Sequence, residues 1–382
     1  MAVSSAEFAH RSLWIRNGRI FFAPMISAHK FTLDLQDHVI LPGLINAHDH
    51  LELNLFPKLG RGHYPNALAW ARDIYRPDER PVKRHLGVPK ELRLRWGGIK
   101  NLLSGVTVVA HHNDFHPLLG HPTFPVRVIS RYGWAHSIDF SPDWKIRFAN
   151  TPRNYPFLIH AGEGTDSAAS CEIGTLAQAG ALNRSTILVH GVGLNRKGLA
   201  ILQRAGSGLV WCPSSNHFTL GESLHRHMIE SGIRIALGSD SALTAAGDLL
   251  DELRFAQKSA DEHRLYKMVT LEAASMLQLP FGYGQIRDKG PADLLVMKDI
   301  GRTPAATLLE GYPELVMSRG RIALISLTLA ALCPPSRLAN LEPIRVEGRG
   351  TYLIAEKVRY LLAQTANVLD ESVRLAGKAI AA

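Results

Sequence analysis

One pattern constrains the fold of this chain more than any other: an apolar run ending in polar residues, then a helix-compatible stretch, repeated through the middle of the sequence. The runs are GLINAHDH (43–50), GVTVVAHH (105–112), PVRVIS (125–130), YGWAHS (132–137), PFLIHAGE (156–163), TILVHGVG (186–193), GLVWCPSS (208–215) and RIALGSDS (234–241). Short apolar runs alternating with helices describe parallel strands joined by crossovers. Eight of them, most separated by helix-compatible segments such as Ile173 to Leu182 and Arg196 to Arg204, predict an α/β chain folded as a (β/α)8, TIM-like barrel. The third and fourth runs are crowded together, so an abbreviated barrel is expected around strands 3 and 4.

The flanks have a different texture. SLWIRNGRI and FTLDLQDHVILP read as short strands, with Asn17-Gly18 where a hairpin needs positive backbone angles. The same texture returns in GPADLLVMKD and PELVMSRGRIALIS. The expected organisation is therefore a β-sandwich built from residues 1–41 and 290–345, a barrel over 42–289, and a C-terminal helical extension over 346–382.

Composition narrows the function classes. Cys171, Cys212 and Cys333 are odd in number and widely spaced, which argues against a disulfide framework and for a reducing cytoplasm. The opening residues lack the apolar core of a signal peptide. The run IALISLTLAALCPP is too short to cross a bilayer and reads as buried strand and turn. A net charge of +9 is concentrated in KRHLGVPKELRLRWGGIK (83–100), with no recognition pattern for nucleic acid, so a solvated helix face is expected there. The expected partner is therefore a small molecule, not nucleic acid or membrane, with homo-oligomerisation left open.

The histidines and acids fall at the carboxyl ends of the runs, where barrel enzymes build their sites. His48 and His50 are two apart and share a strand face, so both imidazoles reach one ion; His160 ends the fifth run and Asp240 the eighth. Three imidazoles and a carboxylate suit one divalent metal ion such as Zn2+, with Fe2+ or Mn2+ compatible with the same ligand types. Glu163, three residues past His160, is placed to move protons to and from water. Asp240 is both a ligand and a candidate proton acceptor, because a metal needs only one of its oxygens. At the end of the second run alternation turns only one of His111 and His112 inward; His112 is preferred and, with His136 and Asn216, is a candidate substrate contact. Glu52 and Asn54 are further candidates, and the excursion from Leu53 to Arg95 is a candidate lid.

In order and context, PGLINAHDH, IHAGEG, LVHGVGL and LGSDSALT resemble the amidohydrolase superfamily, most closely its branch of cytosine and guanine deaminases and triazine chlorohydrolases. The likeness extends to TLEAASMLQLP and GQIRDKGPADLLVM. It implies that His48, His50, His160 and Asp240 hold one metal while Glu163 and His190 face water and substrate, His190 as an electrophile rather than a fifth ligand. No lysine ends the fourth run, so the carbamylated bridge of binuclear relatives has no donor; the nearby Lys145 is expected in a loop. The implied activity is metal-dependent hydrolysis of a non-peptide C–N bond in a small cyclic amidine or amide, as in deamination of a nucleobase-like heterocycle. Ring opening, dechlorination or dealkylamination would use the same machinery. A non-catalytic scaffold is the remaining alternative.

Overall fold

The computed structural model describes residues 12–23 and 31–382. Eight parallel strands form its centre: β1 (Leu44–Asp49), β2 (Val106–His111), β3 (Arg127–Val128), β4 (Gly133–Ala135), β5 (Phe157–Ala161), β6 (Thr186–His190), β7 (Gly208–Trp211) and β8 (Arg234–Leu237). They lie in two arcs, one ordered β1-β2-β3 and the other β4-β5-β6-β7-β8. At one junction the Asp240 N–H donates to the His48 carbonyl at 3.1 Å, tying the end of β8 to β1. At the other junction β3 and β4 are the shortest of the eight, with four residues between them.

Apart from the half-buried Arg127, Gly133, Trp134 and Arg234, these strands are buried on both faces, as parallel strands are when helices cover them. Alternate residues, among them Val108, Ala110, Leu158, Ile187, Val189, Val210 and Ala236, join in one cluster that fills the space the strands enclose. The intervening residues, such as Val109, Ile159, Leu188, Leu209 and Leu237, belong to the larger cluster shared with the helices. Sharp helix starts keep the connections short. Asp166 accepts the Ala169 N–H to begin Ser167–Gln178, Asn195 accepts the Gly198 N–H to begin Arg196–Ala205, and Asp248 with Asp251 forms a capping box for Leu249–Ala256.

Both chain ends meet in an antiparallel sheet of eight strands. Its order is Arg374–Leu375, Lys378–Ala381, Glu342–Val346, Gly350–Ile354, Arg321–Ser326, Pro313–Ser318, Leu294–Lys298 and His38–Pro42. The last pairing sets Leu294 against Pro42 and Lys298 against His38. Trp14–Arg16 and Arg19–Phe21 form the expected hairpin, with φ of 49° at Asn17 and 74° at Gly18.

Three expectations are corrected. Residues 346–382 hold a single helix, Val358–Ala366; Gly350–Ile354 and Lys378–Ala381 are strands that widen the sheet, because pairing with Glu342–Val346 outweighs local helix propensity. The run from Ile322 continues into a short helix, Leu327–Ala330, capped by Ser326, and not into a turn. Lys145 lies in the helix Trp144–Asn150, its ammonium over the Trp144 ring.

Candidate active site

The carboxyl ends of the strands bring six residues from distant parts of the chain together. His48 is the hub. Its ring makes edge contacts with His50 at 4.9 Å and His160 at 4.8 Å between centroids. His48 Nε2 lies 3.1 Å from His160 Nε2, and both His48 Nε2 and His50 Nε2 lie 3.7 Å from Asp240 Oδ1. Two sets of ligand atoms, from His48, His50 and Asp240 and from His48, His160 and His190, each fall within 4.8 Å of one another.

A bulge brings both histidines of β1 into this cluster. Ile45 and Ala47 belong to the barrel interior. Strict alternation from them would turn His48 and His50 out. Between Asn46 and Asp49, however, β1 advances three residues while β2 advances only from Val109 to His111. The extra residue reverses the phase, so that His48 and His50 face inward and Asp49 faces out.

His190 and Asp240 have φ of 77° and 53°, in the left-handed region that costs a side-chain-bearing residue energy. The turn that carries Glu163 also needs a left-handed residue. Gly162 has φ of 66°, and a Cβ there would come within 3.3 Å of the Gly191 backbone. The Gly162 N–H donates to Glu172 Oε2 at 2.6 Å, and the Glu163 carbonyl accepts from Ala67 N–H at 2.9 Å. So held, Glu163 Oε1 sits 3.5 Å from His190 Nε2.

The electrostatics suit a cation. Burial pushes His48 down to about 4 and His160 well below the ordinary imidazole value, so both rings are neutral and carry lone pairs at pH 7. Burial alone would raise Asp240, but the hydrogen bond with His48 and the surrounding imidazoles of His48, His190 and His50 hold it well below its usual range. Buried Nδ1 atoms of His48, His50 and His160 find no protein partner. A fully buried set of imidazoles around one carboxylate offers lone pairs in excess of protons, and this donor chemistry fits a divalent metal of the zinc type. Asp240 Oδ1 also accepts from the Ser241 N–H, while Oδ2 accepts from the hydroxyls of Ser215 at 2.6 Å and Thr244 at 3.3 Å, so one oxygen faces the imidazoles and the other is fixed from behind. Glu163 is raised by burial to about 7, with Asp240 adding to the rise and His190 opposing it.

The remaining candidates divide. The His112 ring stacks on His160 at 4.3 Å, with Nε2 3.0 Å from the Ala135 carbonyl, and His136 lies 4.7 Å from His160, so both border the cluster. His111 points the other way, towards Glu52. Asn216 Oδ1 meets His190 Nδ1 at 2.7 Å; its carbonyl is committed to that ring. Glu52 and Asn54 do not reach the cluster: Glu52 pairs with Lys90 and His111, and Asn54 bonds Asp49 and Lys100. The stretch 83–100 is not a uniformly solvated face, since Arg93 and Lys100 are buried. The lid candidate is a strap whose backbone bonds Leu59 to Leu243 and Tyr64 to Thr219, with Thr165 N–H donating to Pro65. Ser215, Thr244, Glu172 and Lys100 were missed by sequence reasoning; a lysine beside Asn101 in the mostly apolar GIKNLL was the one available sign of the last.

Parallel strands wrapped by helices, with imidazoles and one carboxylate gathered at their carboxyl ends, make a barrel protein with a candidate metal site at its centre. The amidohydrolase family profile matches residues 153–323. The 5-methylthioadenosine/S-adenosylhomocysteine deaminase of Pyrococcus furiosus is 25% identical over 331 residues, 69% of this chain and 76% of that one. The protein of the same name from Haloquadratum walsbyi is 26% identical over 330 residues, 70% of this chain and 72% of its own. Among solved structures, zinc-complexed atrazine chlorohydrolase from Arthrobacter aurescens superposes with a TM-score of 0.68 at 16% identity, covering 93% of this chain and 94% of that one. A zinc-bound adenosine deaminase from Xanthomonas campestris gives 0.65 at 17%, covering 94% and 93%. Residues 153–323 thus resemble the amidohydrolase family, and the fold of the chain is the TIM-like α/β barrel of these structures.

Proposed function

We propose that this chain is a metal-dependent hydrolase that deaminates a nucleobase-like heterocycle, with His48, His50, His160 and Asp240 holding one divalent cation, zinc by preference. The observation that carries the reading is the convergence of these four buried side chains with Glu163 and His190 alongside. The relatives named as deaminases support the reaction class, and their names point to purine nucleosides as the first substrates to try. In this reading residues 42–289 are the catalytic unit and the sheet from the two chain ends is its support.

A divalent cation bound there lowers the pKa of water towards neutrality. The chain's own groups do the rest. Glu163, ionised, accepts a proton from the attacking water and returns it to the departing amine, so that R–NH2 and water become the carbonyl product and ammonia. His190, its Nδ1 held by Asn216, faces the carbon under attack with Nε2 and stabilises charge developing on the ring. Asp240, its outer oxygen fixed by Ser215 and Thr244, keeps its inner oxygen towards the cation and is a second proton acceptor. His112 and His136 border the space left for substrate.

The test is ammonia release by zinc-loaded protein from a panel of purine nucleosides, aminopyrimidines and chlorotriazines, with Glu163→Gln as control. Release from a purine nucleoside, abolished in the variant, is the expected result. Chloride release from the triazines with no ammonia would overturn the deaminase assignment.

A further inference from the structure

Behind the cluster lies a second buried polar group that the chemistry above does not use. Asp49 and Lys100 are fully buried and paired at 3.0 Å. The Asp49 carboxylate accepts from Asn101 and Asn54 at 2.7 Å each, from Ser239 at 3.1 Å and from Asn46 at 3.2 Å. Lys100 Nζ donates to Asn54 Oδ1 at 2.7 Å, to Ser239 Oγ at 3.0 Å and to the backbone carbonyl of Asp240 at 3.3 Å.

This network joins three elements that must agree for the cluster to form: the helix Lys90–Leu103, the end of β1 and the end of β8. Asp49 stands between His48 and His50 and is turned outward by the same bulge that turns them inward. Asp240, with its left-handed φ of 53°, has its N–H bonded to the His48 carbonyl and its own carbonyl to Lys100. A buried ion pair is a weak source of stability, because desolvation offsets the attraction. What this pair supplies is direction: Lys100 holds the Asp240 carbonyl, and Asp49 anchors the residue next to His48, whose carbonyl takes the Asp240 N–H.

We propose that Lys100 and Asp49 are a positioning pair that holds Asp240 against His48 and His50 and thereby sets how tightly the cation is bound. The inference rests on the reading of these three residues as ligands. It is tested on zinc-loaded protein titrated with a competing chelator, unfolding being followed on the same samples. The double variant Lys100→Met with Asp49→Asn removes both charges together and strands neither. It is expected to keep the wild-type circular dichroism and to bind zinc about 10- to 100-fold more weakly, the usual effect of losing groups that orient ligands. Ser239→Ala, which leaves both charges in place, is expected to weaken zinc about 3- to 10-fold. A folded double variant with wild-type zinc affinity overturns the proposal. If the double variant does not fold, Ser239→Ala decides, and unchanged affinity overturns it. Failure of the wild type itself to retain stoichiometric zinc instead removes the ligand reading, and this inference with it.

Discussion

His160 Nε2 lies 3.1 Å from His48 Nε2, two buried imidazole nitrogens meeting from strands more than a hundred residues apart. Burial keeps both rings neutral at pH 7, so the cation proposed above would take up lone pairs that no proton occupies. Zinc is therefore expected to stabilise the fold. At a free concentration about 100-fold above its dissociation constant the gain is about 2.7 kcal/mol, measured as a shift of the denaturant midpoint. In His160→Ala most of this zinc-dependent increment should vanish; an undiminished increment would show that the ion sits elsewhere.

Glu163 is expected to govern rate and not metal. Glu163→Gln should lower kcat by about 10²- to 10⁴-fold while zinc content stays at one per chain. Burial raises its carboxyl to about 7, and the base is needed ionised, so kcat/KM falls as pH drops through the folded value. A bound cation favours the ionised form, which places that acid limb at or below pH 7. A profile flat from pH 5 to 8 would remove Glu163 from the role of base.

The site was legible in the sequence where one residue type recurred at one structural place. Histidines and acids at strand ends, in runs apolar enough to be read as parallel strands, gave His48, His50, His160, His190 and Asp240, and the structure brings these together. The reading of the first pair reached the right side chains through an incomplete geometry: alternation explains why His48 and His50 agree with each other, whereas the bulge that turns both inward has no mark in the sequence. Ser215, Thr244 and Lys100 were not legible because their roles depend on contacts across 25, 4 and 140 positions to Asp240, and two of the three are small hydroxyl residues common in any loop. The tail failed for a different reason. Good helix formers in 346–382 were overridden by a free strand edge that only the folded sheet presents.

Glu252 offers a test of burial apart from catalysis. Its carboxylate is fully buried and accepts from the Ser214 N–H and hydroxyl, and burial raises it to about 8. A carboxyl whose folded value is raised favours the folded state when protonated, so its contribution is complete below about pH 4.5 and is lost as pH rises through about 8. Glu252→Gln, neutral throughout, should match the wild type in acid and be the more stable protein at pH 9, by on the order of 2–4 kcal/mol. Paired urea titrations at the two pH values measure this, and parallel loss of stability in both proteins would contradict it.

The last expectation concerns Asn216, whose amide oxygen meets His190 Nδ1 at 2.7 Å. That partner places the ring proton on Nδ1 and leaves Nε2 facing Glu163 Oε1 at 3.5 Å. With Glu163 ionised, as a base must be, the proton it takes from water comes to lie between the two groups, where both can hold it. Asn216→Leu keeps the volume and removes the acceptor, freeing His190 to take the other tautomer. The expected outcome is a fall in kcat of about 10-fold or more, with the acid limb of the rate profile displaced and zinc content unchanged. Loss of zinc in this variant would instead make His190 a ligand, because a group that only orients an electrophile has no hold on the metal.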